Sequence, residues 1–186
     1  MPWYTLVLFV HVVAAMILIG ALSRLMLLEG VGLQSQTPAE LRAVQEKSER
    51  IAVAMKSLVP VLLVTGLYMA WSAWSLSASW VIAALLAFVY LAATGPALFG
   101  RRMRQAADLA SVEGSITPEV RRLLHDPLLV TMGHIRIALF ALLVFLMTNK
   151  PGLAGSIGAT IAAVVLGAAS GMRFSPARVT TEPSQG

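Results

Sequence analysis

One imidazole stands inside a stretch of hydrocarbon. The run Leu6–Leu28, LVLFVHVVAAMILIGALSRLMLL, is long enough to cross a bilayer, and His11 lies well within it. An ionisable group at that depth is costly and marks a functional position. The chemistry open to it is ligation of a metal centre through a ring nitrogen, or proton transfer. The competing reading is an inter-helix hydrogen bond that only holds the bundle together. At 100° per residue Tyr4, His11, Ala15, Leu18 and Leu22 share one helix face. Ala14 and Ala15 leave room beside the ring for a flat cofactor or for a close helix neighbour, and both readings stay open.

Which groups could act with His11? Depth along the helices sorts the candidates. Gly66 falls level with His11, and Met69 one turn further towards the same face of the membrane. A thioether can complete a haem site with histidine, and a glycine lets a macrocycle approach the backbone; Met is also a common apolar filler. His134 is the other intramembrane histidine, but it sits about 12 Å deeper, from eight residues at 1.5 Å each. Two ligands of one upright porphyrin need similar depths, so His134 is not expected to share the site.

Arg136 lies about 12 Å from the inner face, and no Asp or Glu falls inside the five apolar spans. It is therefore expected to snorkel to the headgroups or to meet an anion. With His134 and Arg24 it could form an inner-half polar cluster for a haem propionate, a lipid phosphate or an anionic substrate. The remaining chemistry is sparse. There is no cysteine, so disulfides, thiolate metal sites and c-type haem attachment are excluded. No Gly-rich phosphate loop, catalytic triad, paired carboxylates or HExxH is present. Three widely spaced histidines with no acidic partner in the membrane do not make a closed zinc site.

The elements that must position these residues follow from composition. The chain is 58% hydrophobic and only 12% charged, with mean hydropathy +0.78. A soluble domain carries about 25% charged residues, so lipid must be part of this chain's solvent. The fold class is all-α: a polytopic membrane bundle of five transmembrane helices, with spans at about 3–28, 51–71, 80–99, 128–147 and 153–172. These form one domain, and 173–186 reads as a disordered cytoplasmic tail. Trp3 and Tyr4 serve as interfacial anchors. The first span is too long for a signal peptide's ~7–15-residue core and lacks a preceding Lys or Arg, so it is expected to remain.

Local signals refine the spans. Thr37-Pro38-Ala39-Glu40 reads as a capping box, and Thr117-Pro118 and Asp126-Pro127 repeat the cap-then-proline start. Pro60 in span two and Thr94-Gly95-Pro96 in span three predict kinks. Ser77 or Ser79 is expected to cap span three. Thr148–Gly152 ends span four. Gly155, Ala159, Ala163 and Gly167 recur every four residues on span five, a seam suited to a membrane-protein partner or homo-oligomer.

Charge sets orientation. The segment between spans one and two holds Arg42, Lys47 and Arg50, and that between three and four holds five Arg; the other two connections hold none and one. The positive-inside rule places the N-terminus out and the C-terminus in. The pI of 10.2 thus reports topology and contact with the lipid bilayer rather than nucleic acid.

Several of these residues together carry a resemblance. His11 with Ala14, Ala15 and Gly20, Thr65-Gly66, Trp80, and Met147-Thr148-Asn149-Lys150-Pro151 resemble an uncharacterised bacterial family of predicted integral membrane proteins. That family is distantly similar to copper-resistance D-type proteins and to HemJ-type membrane protoporphyrinogen oxidases. The likeness spans about Leu6–Pro151 and implies a multi-pass protein of the bacterial inner (plasma) membrane. It also implies haem b as cofactor, with His11 its ligand. The oxidases' lysine near the start of helix three has no counterpart beside Trp80, and their Asn-Glu-x-Pro motif is absent, so no reaction carries over. Three functions follow as expectations: a haem-b-binding redox protein, a non-catalytic membrane subunit or assembly factor, and a copper or small-solute transporter.

Overall fold

Three caps begin three of the helices. Thr37 Oγ1 accepts the Glu40 amide at 3.3 Å while Glu40 Oε2 accepts the Gln36 amide at 2.9 Å. Thr117 Oγ1 accepts from Val120 N, and Asp126 Oδ1 from Leu128 N. Each pairs a side-chain acceptor with a proline in the first turn, where the missing N–H costs nothing. In the computed structural model, which describes residues 2–174, these caps open α2 (Pro38–Lys56), α6 (Pro118–Leu124) and α7 (Pro127–Asn149). The other helices are α1 (Pro2–Leu33), α3 (Leu58–Ala73), α4 (Ser79–Thr94), α5 (Arg101–Glu113) and α8 (Leu153–Phe174). A π-helical turn, Gly95–Gly100, joins α4 to α5. The chain is all-α among the described residues, with five helical stretches long and apolar enough to cross a membrane. The tail expected from 173 is helical through Phe174; residues 175–186 lie outside the described ones.

Several boundaries differ from the sequence reading, each for a local reason. Helix α1 runs five residues past Leu28, straight through Gly30 and Gly32, which carries Glu29 into the helix. The break between α2 and α3 falls at Ser57, not at Pro60. Pro60 has no N–H for the Lys56 carbonyl and its ring crowds that carbonyl, so the helix yields just after it, at Ser57, three residues upstream. Thr94-Gly95-Pro96 produces a π turn rather than a simple kink, and the helix continues through it to Glu113. Ala78 occupies the cap position of α4 without a side-chain bond; Ser79 is already helical, and its hydroxyl instead donates to the Pro151 carbonyl at 3.4 Å.

Packing divides the bundle into two halves. Helix α1 lies on α3, where Ala14, Leu18 and Leu62 are buried with Phe88 of α4 against them. Helix α7 lies between α4 and α8, and Trp80, Ala84, Leu139, Leu142 and Leu146 form its core with α4. The halves are joined chiefly at one end, where α2 and α6 rest on α5 through Leu41, Val120, Ala106, Ala107 and Ala110, all buried. At the other end they part.

Part of the small-residue face of α8 is spent inside the chain. Ser156, Gly167 and Gly171 are buried, and Ala163 packs against the α4–α7 core. A Cβ on Gly167 would fall 2.6 Å from the Ile135 Cα, and one on Gly171 2.4 Å from the Thr131 Cα. Of the seam expected to receive a second chain, the Gly167 end is therefore covered by α7, while Gly155 is exposed beside Pro151. Gly167→Ala should force the two backbones apart and destabilise by about 1–3 kcal/mol. The measurement is thermal unfolding in detergent, with Gly158→Ala, where nothing lies within 4 Å of the added carbon, as the silent control.

Candidate functional site: an apolar cavity holding His11

Where the halves part, they enclose a cavity of about 520 Å³, within the ~300–1,000 Å³ usual for small-molecule sites. One wall is α1 and α3, the other α4 and α7. Its lining is almost wholly apolar, and the exceptions are few: His11, Tyr4, Thr148 and Lys150, with the indole N–H groups of Trp74 and Trp80. Met16 of the first wall, 67% exposed, and Val144 of the second, also exposed, both line it. The cavity therefore opens sideways, where lipid would lie.

His11 is fixed by a chain of donors. Its Nδ1 is 2.8 Å from Thr65 Oγ1 on α3. The Thr65 hydroxyl donates to the Val61 carbonyl at 2.6 Å, with the Leu62 carbonyl at 3.3 Å as a second acceptor. Carbonyls only accept, so the hydroxyl proton is committed to α3 and Thr65 Oγ1 must receive a proton from Nδ1. That fixes the tautomer: Nδ1 carries the hydrogen and Nε2 carries the lone pair. A ring nitrogen held this way through its partner is the arrangement in which histidine binds a metal centre.

Gly66 stands where a side chain would meet the ring, since a Cβ there would lie 3.3 Å from His11 Cε1. Met69, four residues beyond Thr65 and so on the same face of α3, lines the cavity with Met16 and Met147. Of the residues singled out from sequence, the structure thus brings together His11, Gly66 and Met69. Thr65 as the partner of His11 went unread. Its signal is weak but physical: a hydroxyl in an apolar helix bonds its own preceding turn and keeps a lone pair for a neighbour.

The other three candidates lie elsewhere. Glu29 is eighteen residues from His11 along α1, about 27 Å at 1.5 Å per residue. Arg136 joins it there: Nη1 is 3.6 Å from Glu29 Oε1, and the guanidinium covers the Phe99 ring at 4.5 Å from its centroid. At 3% exposure Arg136 is buried and does not snorkel. The anion it meets is supplied by α1, which continues far enough to deliver a carboxylate. Arg24 is exposed on α1 about 20 Å from His11 along the helix. The His134 Nδ1 lies 2.9 Å from the Val130 carbonyl of its own helix, and the residue does not line the cavity.

A family model described as "Predicted integral membrane protein (DUF2269)" matches residues 5–151. That range takes in α1 from its fourth residue, α2 to α7 and every cavity-lining residue except Tyr4, and stops before α8. No curated protein and no solved structure matches the chain.

Proposed function

The chain belongs to the DUF2269 family of predicted integral membrane proteins, and we propose that within the membrane it is a redox protein holding haem b on Nε2 of His11. The observation that carries this reading is the hydrogen-bond relay Nδ1–H to Thr65 to Val61, which leaves Nε2 unprotonated on a ring in the cavity wall. The donor set fits the group. An imidazole and the Met69 thioether are established haem ligand types, Gly66 keeps the space beside the ring clear, and apolar walls suit a macrocycle. Bound haem supplies one-electron chemistry. The chain's own residues hold and orient it: Thr65 fixes the imidazole edge, and Leu62, Ala84 and Phe140 exclude water from both sides. The sideways opening admits a ligand dissolved in lipid.

The distribution of Lys and Arg supports the orientation in which the cavity end of α1 faces outward and the α2, α5 and α6 end faces the cytoplasm of a bacterial inner membrane. The test is an absorption spectrum of the detergent-purified protein before and after dithionite. A Soret band that shifts on reduction is expected; a colourless preparation that also fails to take up added haemin overturns the reading.

A second reading has its own observation. Met16, Met69 and Met147 line the cavity with His11, and thioether with imidazole is a donor set that favours copper(I). It predicts copper and no porphyrin in the same preparation by elemental analysis.

A further inference from the structure

The cavity is apolar, yet one of its lining residues is a full cation. Lys150 closes α7 at φ 47°, the one positive φ outside glycine among the described residues. A side chain in the left-handed region is strained by the contact of its Cβ with the following carbonyl, and a helix end of this kind ordinarily takes glycine. Here the conformation places the ammonium 4.6 Å from the centre of the Trp74 ring. Trp74 in turn meets Trp80 edge-on at 5.9 Å. All three residues line the cavity. No acidic residue does, and the ion pairs among the described residues, Arg102–Asp126, Arg104–Glu49 and Arg136–Glu29, involve none of its lining. Lys150 is itself exposed, so the greasy slot carries at its open end a positive group that no side chain of its lining neutralises.

We infer that Lys150 receives a carboxylate carried by the cavity's occupant, so that the occupant is an anionic amphiphile lying with its charged edge at the Tyr4–Lys150 end. The inference rests on the haem reading for the identity of that occupant, whose carboxylates are the two propionates. The geometry agrees in depth. Tyr4 lies seven residues from His11, about 10 Å along the axis, and Tyr4 lines the cavity with Lys150. It also relocates the anion site expected from sequence. The arginines at the opposite end are about 20–27 Å from His11, and Arg136 already has Glu29.

The test titrates detergent-purified protein with haemin and with haemin dimethyl ester, whose propionates are uncharged, and follows the Soret band. Wild type is expected to bind haemin about tenfold or more tighter than the diester, as befits one charge-assisted contact. Lys150→Gln should bind both as wild type binds the diester, and Lys150→Arg should restore the preference. Equal binding of the two porphyrins by wild type, or a preference that survives in Lys150→Gln, overturns the inference while leaving haem binding intact. If neither porphyrin binds, palmitate and its methyl ester are titrated against tryptophan fluorescence. A Lys150-dependent preference for the free acid then supports the carboxylate site with a lipid as its source and sinks the haem reading alone. No preference sinks both.

Discussion

Protein carrying His11→Gly is expected to purify without a Soret band, and millimolar imidazole is expected to restore one when haemin is supplied. The variant removes the ring from the cavity wall, and Gly66, whose Cβ would lie 3.3 Å from it, adds no side chain to fill the space. A free imidazole can then occupy the vacated volume. Thr65→Val separates ligation from positioning. It keeps the shape and the ring but deletes the acceptor at 2.8 Å, freeing the imidazole to change tautomer and tilt. Loss of such an outer partner weakens a metal centre by about 10–100-fold, so Thr65→Val should bind haemin weakly where His11→Gly does not bind it at all. Spectral titration distinguishes the two. Identical behaviour of Thr65→Val and wild type would mean the relay does not prepare the nitrogen.

The second large effect lies at the far end. Glu29→Leu alone should lower stability by about 3–5 kcal/mol, because it strands a buried guanidinium. Arg136 has little to fall back on: Nε and Nη1 are buried without a hydrogen-bond partner, and Phe99 offers only its face. The double variant Glu29→Leu with Arg136→Met should recover most of the loss, since a well-packed apolar pair commonly replaces a buried ion pair at no cost. Unfolding curves in one detergent check both, and a Glu29→Leu curve that overlays wild type would show the pair to be idle. Neither variant should alter porphyrin binding, given the ~27 Å between the two places.

These two regions show what a sequence can and cannot disclose. The spans, the three proline-backed caps and the meeting of His11 with Gly66 were legible, because hydropathy, capping chemistry and rise per residue are local or additive rules. The Glu29–Arg136 pair was not. Hydropathy marks where apolar residues stop, whereas a helix stops where its backbone finds a terminator, and Gly30 and Gly32 do not provide one. Helix α5 was missed for a related reason. Its stripe of Ala106, Ala107 and Ala110 is too small to read as a core face until Leu41 and Val120 close over it. Thr65 was read only as part of a motif, since nothing in one chain's order of residues says which hydroxyl will face which ring across fifty-four positions.

The π turn at Gly95–Gly100 sets a rotational phase. Each residue added to a helix advances the direction of everything after it by about 100°, and a π turn absorbs roughly one residue more than an α turn. The alanine stripe of α5 is thereby aimed at Leu41 and the arginines Arg101 and Arg104 away from it. Were the turn to relax to α geometry, that aim would slip by about 100°. The apolar α4 half and the arginine-bearing α5 half of this one continuous helix are thus geared to each other through six residues.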